Sequence, residues 1–168
     1  KPNVINFNFL ISAYGKAGKT EEALRVLDDM NAYGVKPDVS TFNNLIYTYG
    51  KTGKGEEAFR VLDDMNASGL KPDVVTLNNL IFAYGEAGKV EEALGVFDDM
   101  NASGLKPNVI TFTVLISAYG KAGKTEEALR VLDDMNASVL MPDVSTYTVL
   151  ISTCGHAVQQ EEACRVLD

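Results

Sequence analysis

The side chains in this chain that could do chemistry are few, and most of them recur. Glu21-Glu22 and Asp28-Asp29 are paired carboxylates of the kind used for metal binding or acid–base work. The same pairs return as Glu56-Glu57 and Asp63-Asp64 and again further on, which reads as a solvated helix face. Gly15-Lys16-Ala17-Gly18-Lys19-Thr20 has the look of a phosphate-cradling loop. Such a loop needs a glycine five residues ahead of its Gly-Lys pair, where Ala13 stands, and a strand before it, where a helical pattern runs. Cys154, Cys164 and His156 are too few for a disulfide framework or a zinc site, and both cysteines fall on apolar helical positions as reduced core thiols do. No unique polar cluster is left from which to build an active site, so the chain reads as a non-enzyme without cofactor, metal or small-molecule substrate. What remains is a series of uncharged hydrogen-bonding residues, Asn8, Asn43, Asn78, Thr113 and Thr148, each 35 residues after the one before. Asn offers donor and acceptor atoms and Thr a hydroxyl, groups suited to the edge of a base.

That spacing is the period of the whole chain. Lys-Pro stands at 1–2, 36–37, 71–72 and 106–107, followed by Met141-Pro142, and residues 10–32 and 115–137 are identical. Identity at this level points to recent duplication or deliberate consensus design. Four complete units run 4–38, 39–73, 74–108 and 109–143, with a partial fifth at 144–168. In the second unit Phe42, Leu45, Ile46 and Tyr49 form one apolar helical stripe, helix A. Gly50 and Gly53 are expected to break it. Ala58, Val61, Leu62 and Met65 form the stripe of helix B, which Gly69 closes and Pro72 keeps from continuing. Asp73 is then placed to cap the next helix A. The fifth unit is expected to stop inside its helix B. One hairpin cannot cover both stripes, but stacked neighbours can, so the array should be an α-solenoid with helices A and B on opposite faces.

On a helical wheel Asn43 lies about 110° from the centre of its apolar stripe, at the border of the core. Its counterparts therefore form one polar ridge along helices A. Asn and Thr are poor helix formers, costing roughly 0.5 kcal/mol each against Ala, so their recurrence asks for a reason. Either they face a ligand, or they bond to backbone at the helix start. The last residues of the units, Asp38, Asp73, Asn108 and Asp143, are good N-caps, and capping alone would account for them.

The chain has 168 residues, 46% of them hydrophobic and 23% charged, with a net charge of −8. No segment has the length and apolarity of a membrane span, and no signal peptide opens the chain. It begins at Lys1 without Met and stops at Asp168 within the pattern, which reads as part of a longer array from which any targeting segment is missing. An acidic balance is unusual for a binder of phosphate. Placement relieves it: Lys16, Lys19, Lys51, Lys54, Lys89, Lys121 and Lys124 all lie in the turns between helices A and B, while acids gather on helix B. Those lysines line a phosphate path or a merely solvated edge.

Units reading Val-x-Thr-Phe-Asn-x-Leu-Ile, then Gly-Lys-x-Gly-Lys, Glu-Glu-Ala and Gly-Leu-Lys-Pro-Asp, with no tryptophan, resemble pentatricopeptide repeats of the 35-residue P type over essentially the whole chain. The resemblance implies an all-α, right-handed α-solenoid that reads single-stranded RNA at one base per unit. It implies base choice by the fifth and last places of each unit: Asn8 with Asp38, Asn43 with Asp73, Asn78 with Asn108, Thr113 with Asp143, and Thr148 with a partner beyond the end. It implies sandwiching of bases by the second place, Ile5, Ser40, Val75, Ile110 and Ser145, and phosphate contact by Lys16, Lys51 and Lys121. Glu86 and His156, at the place those lysines hold in the other units, should weaken phosphate contact in their own. The implied target is U-U-(C or U)-G and then a purine. The family also implies an organellar setting, chloroplast or mitochondrion. A protein-interaction scaffold is the competing reading, and the targeting arm of a larger RNA-processing protein a third. No membrane partner is expected, and the chain should be a monomer or associate head to tail.

Overall fold

The computed structural model describes residues 2–167, with side chains through Gly155. His156 and Cys164, to which the sequence assigns a weakened phosphate contact and a core thiol, lie outside the described side chains. The described residues form helices and turns throughout: α1 (Val4–Lys16), α2 (Thr20–Ala32), α3 (Val39–Lys51), α4 (Gly55–Ala67), α5 (Val74–Glu86), α6 (Val90–Ala102), α7 (Val109–Lys121), α8 (Thr125–Ala137) and α9 (Val144–Leu167). None of them is long and apolar enough to cross a membrane.

Each helix A starts on a reciprocal cap. Asp38, Asp73 and Asn108 accept the backbone N–H of Thr41, Thr76 and Thr111 at 2.9, 2.8 and 3.1 Å, and the threonine hydroxyls accept the cap N–H in return. Two orphan N–H groups of the helix start are thereby satisfied. The helix ends on a glycine in the left-handed region. Gly18 N–H donates to the Gly15 carbonyl at 3.0 Å and Lys19 N–H to that of Tyr14 at 2.9 Å, and Gly53, Gly88 and Gly123 repeat the turn at φ between 66° and 72°.

Two expectations change. Gly50 does not break α3, which runs on through Lys51; the turn belongs to Gly53 alone. Gly50 lies inside the helix because a side chain there would collide with the next unit: a Cβ would stand 2.9 Å from a Phe82 ring carbon and 3.2 Å from the Ala83 Cα. The fifth unit is not a hairpin stopped inside helix B. It is one continuous helix of 24 residues. Val158 stands where the other units have their turn glycine, and a β-branched residue resists positive φ. Gln159 and Gln160, good helix formers, follow it with no proline to stop the chain. Val139 makes the opposite case. It does adopt φ 60° at the end of α8, where Pro142 follows and the helix cannot continue.

Packing is in two layers. Helices α1, α3, α5, α7 and α9 touch in succession, while among the described residues α2, α4, α6 and α8 approach only the helices A on either side of them. The closely packed helices A thus form the inner layer. Met30, Met65, Met100 and Met135 of helices B, with Ile11, Leu45, Ile46, Leu80, Ile81, Leu115 and Ile116 of helices A, are fully buried between the layers. At roughly 1.5–3 kcal/mol for each large side chain removed from water, this spine supplies most of the driving force.

Candidate nucleic-acid interface

The fifth-place residues lie along the inner layer at the seam between consecutive helices A. Asn43 and Asn78 are buried, Asn8 and Thr113 half-buried, and Thr148 exposed. The two explanations left open for them divide by residue type. Thr113 and Thr148 bond to backbone of their own helix, donating to the Val109 and Val144 carbonyls at 2.8 and 2.7 Å. The asparagines do not. Asn8 donates its amide N–H to Asp38 Oδ1 at 2.9 Å, Asn43 to Asp73 Oδ1 at 3.3 Å, and Asn78 to Asn108 Oδ1 at 3.3 Å. Fifth and last places are therefore brought into direct contact in three units. In the fourth, Thr113 instead meets the hydroxyl of Thr146 at 2.8 Å, and Asp143 only caps α9.

The last-place residues cap helices, and Asp38, Asp73 and Asn108 meet the fifth place as well. Among the described residues these bonds use Oδ1 only, which leaves Oδ2 of Asp38 and Asp73 as an acceptor. Burial alone would raise the Asp38 carboxyl, but hydrogen bonds from Asn8 and from the Thr41 N–H and hydroxyl outweigh it and hold the group below the ordinary carboxylate range. Asp73 is held low in the same way, with burial outweighed by bonds from Thr76, Asn43 and Val75. For Asp143 the lowering comes from Thr146 and Ser145, without a fifth-place residue. All three are acceptor-only anions at neutral pH.

The second-place residues stand out from this ridge into solvent. Ile5, Val75 and Ile110 are 71%, 54% and 59% exposed, and Ser40 and Ser145 are exposed as well. Exposed apolar side chains such as Ile5, Val75 and Ile110 are what flat bases would cover, and the two serines offer a smaller apolar surface. Between them, Tyr47 and Phe82 stack with centroids 5.6 Å apart and planes at 16°. Each occupies the ninth place, four residues beyond Asn43 and Asn78 on the same face, where the other units have Ser12, Ser117 and Ser152.

Lys16, Lys51 and Lys121 end their helices A and are exposed. Among the described residues Lys16 and Lys51 have no carboxylate in ion-pair reach, whereas Lys121 is paired with Glu86 of the preceding unit. Lys89 pairs with Glu56, and Lys124 with Glu91 at 2.7 Å. Acids of helix B thus reach forward to the turn lysines Lys89 and Lys124 of the next unit, and among the described residues the unpaired turn lysines lie toward the first two units. Among the described residues no group of three His, Cys, Asp or Glu side chains is placed to share a metal ion.

Three elements escaped the sequence. The buried threonines Thr41, Thr76, Thr111 and Thr146 read there only as part of the V-x-T-F pattern. Asn44 and Asn79 donate to the Asn8 and Asn43 carbonyls at 3.2 and 3.0 Å, fastening one helix A to the one before. The in-helix glycines seat the next helix A: Gly15 faces Thr48, Gly50 faces Ala83, Gly85 faces Ala118 and Gly120 faces Thr153. Their common separation of about one repeat was visible, but a contact was not.

The family model of the pentacotripeptide-repeat region of PRORP matches residues 3–154. The chain belongs to the pentatricopeptide repeat family. Among solved structures it is similar to the pentatricopeptide repeat protein PPR10 in complex with an 18-nt psaJ RNA element, at 36% identity and a TM-score of 0.84 over 100% of this chain. It spans 24% of that protein's chain. A further structure of PPR10, from maize, matches 93% of this chain and 22% of its own at 37% identity and a TM-score of 0.69. The PPR domain of Arabidopsis thaliana protein-only RNase P 1 in complex with tRNA shares the fold, with a TM-score of 0.66 at 19% identity over 94% of this chain and 83% of that one. A search of the curated proteins finds no match.

Proposed function

We propose that the chain is a binding module for single-stranded RNA that takes one base per unit and does not itself catalyse a reaction. The observation that carries this reading is the row of fifth-place amides joined to the last-place acceptors, standing beside exposed second-place apolar residues along one seam. Such a seam offers a base a side chain on either hand, apolar at Ile5, Val75 and Ile110, and a hydrogen-bonding edge. The 36% identity to a protein solved with an 18-nt RNA supports it.

The units are taken as 4–38, 39–73, 74–108, 109–143 and 144–168. Uracil faces Asn8/Asp38 and Asn43/Asp73, a pyrimidine Asn78/Asn108, guanine Thr113/Asp143 and a purine Thr148. Ile5, Ser40, Val75, Ile110 and Ser145 flank the bases. Lys16 and Lys51 approach the phosphates, with Lys121 joining once released from Glu86. Family membership favours an organelle as the place of action. Within a longer protein the module would serve as its RNA-targeting arm, in keeping with its covering 24% of the PPR10 chain.

Fluorescence polarisation on short single strands tests this at two salt concentrations. UUCG- and UUUG-containing RNAs should bind at least tenfold more tightly than their permutations, and more weakly as salt rises. Equal affinity for all sequences, or no binding at low salt, would sink the reading.

A further inference from the structure

Each reading amide is held from a second side, by a residue of the next unit. Thr41 Oγ1 donates to Asn8 Oδ1 at 2.6 Å, Thr76 to Asn43 at 2.6 Å and Thr111 to Asn78 at 2.7 Å. All three threonines are fully buried. A threonine hydroxyl has a single proton. Its other short neighbour, the cap oxygen of Asp38, Asp73 or Asn108, lies farther off at 3.0, 2.9 and 3.2 Å, and the cap N–H donates into the same hydroxyl. The proton therefore goes to the asparagine.

This fixes which way the asparagine faces. A carboxylate cannot donate, so at Asp38 and Asp73 the amide nitrogen must turn to the acid and the amide oxygen to the hydroxyl. A flipped amide would set its oxygen against the carboxylate, two acceptors facing each other, and would leave the hydroxyl proton only the longer bond to the cap oxygen. The oxygen is thus turned into the seam, and the N–H not bonded to the acid is the donor left for a ligand.

Resting on the RNA-binding reading above, we propose that Thr41, Thr76 and Thr111 are positioning residues for base choice, each acting on the asparagine of the preceding unit and making it a fixed donor. A fixed donor suits the carbonyl edge of a pyrimidine. Beside it, the free Oδ2 of Asp38 or Asp73 accepts the N3–H of uracil, which cytosine lacks. Asn108, with an amide group in place of that second oxygen, does not impose the choice. Base selection is then a property of the seam between two units. In the fourth seam Thr146 meets a hydroxyl, and no amide is there to orient.

The test is Thr76→Val, which keeps the shape and removes the hydroxyl, with Thr76→Ser as its restoring partner. Two readouts are taken: affinity for RNAs varied one base at a time, and the side-chain amide resonances of Asn43 in the free protein. Expected in Thr76→Val is about a fivefold loss of uracil preference at the second nucleotide alone, with less than about twofold change at the first and third. The Asn43 amide signals should shift and broaden, and Thr76→Ser should restore both. An unchanged second-nucleotide preference, an equal loss at every nucleotide, failure of Thr76→Ser to restore it, or unmoved Asn43 signals would each overturn the proposal. Should the unaltered protein show no base preference, the RNA reading falls, and the Asn43 signals alone then decide whether Thr76 orients that amide.

Discussion

Between the second and third units, Asn43 spans the seam to Asp73 and Thr76, while Asn79 holds the Asn43 carbonyl. Between the fourth and fifth units, Thr113 bonds to its own helix and meets the Thr146 hydroxyl without reaching Asp143, and Val149 stands where Asn79 would. A glycine nevertheless admits the next helix A in both. Gly50 faces Ala83 in one seam, and Gly120 faces Thr153 in the other. Packing and polar presentation are therefore assigned to different places of the unit: the tenth and twelfth set the distance between helices, and the third, fifth and last set what the seam displays. Such a division lets one face vary without disturbing the stack, which is the physical requirement for a modular reader.

The comparison breaks most severely if the close approach is lost. In Gly85→Ala the new Cβ would stand 2.8 Å from the Ala118 Cβ and 3.2 Å from its Cα, and neither atom can move without its backbone. The gain in helix propensity, about 1 kcal/mol, is opposed by overpacking of about 1–3 kcal/mol with the helices forced apart. The expected net effect is a loss of up to about 2 kcal/mol, measured by urea unfolding. Gly95 is the internal control. It is exposed in the middle of α6 with nothing within 4 Å of where a methyl would stand, so Gly95→Ala should instead stabilise by up to about 1 kcal/mol. Equal effects of the two changes would refute the assignment of the twelfth place to helix spacing.

Thr113→Asn turns the fourth seam into a copy of the second. Asp143 and Thr146 are already in position to receive the amide nitrogen and oxygen. The fourth nucleotide should change from guanine toward uracil, by about tenfold in relative affinity, with little effect on the first two. Retained guanine preference in a protein that folds and binds normally would show that the fifth place does not select the base.

The strain at Val139 is confined to the same end of the molecule. Its three counterparts are Gly34, Gly69 and Gly104, at φ between 69° and 76°, and none has a neighbour within 4 Å of a would-be Cβ. The glycines serve conformation, with no close approach to protect. Val139→Gly should therefore stabilise by about 1 kcal/mol, the left-handed penalty of a side chain less the entropy of the freer unfolded glycine. Calorimetry or urea unfolding would register it, and a loss of stability would contradict the strain.

How much of this was legible in the sequence follows from what periodicity encodes. Stripes such as Phe42, Leu45, Ile46 and Tyr49 placed the helices, and the spacing of Lys-Pro placed the turns, because both are local and repeat in register. Gly50 misled because glycine is the same symbol whether it ends a helix or admits a neighbour; only the next unit's Phe82 and Ala83 decide. The continuous α9 depended on one substitution, Val158, whose outcome rested on the residues after it, as the contrast with Val139 and Pro142 demonstrates. At the seam the fifth-place residues were recognisable by their poor fit to a helix border. Thr41, Thr76 and Thr111 were not, since a threonine near a helix start needs no reason beyond capping. Their cross-unit bonds join residues 33 apart, a distance that no local pattern reports.

The smallest effect concerns charge. Glu86 stands where the first, second and fourth units have lysine and takes Lys121 as its partner, so one side chain removes a positive charge from its own place and neutralises the next. The pair is solvent-exposed in part, so its own contribution to stability is small and salt-sensitive. Glu86→Gln should leave unfolding within about 0.5 kcal/mol of the parent. RNA affinity should rise about threefold at low salt, and the dependence of log affinity on log salt should steepen by about 0.7, the expectation for one more phosphate met on a single strand. Lys121→Gln made in that background should abolish the gain, whereas the same change in the parent protein should matter little, because there the lysine is already engaged. An equal loss from Lys121→Gln in both backgrounds would mean that Glu86 does not compete with phosphate, and the difference in charge between the two ends of the array would then have no bearing on how RNA is held.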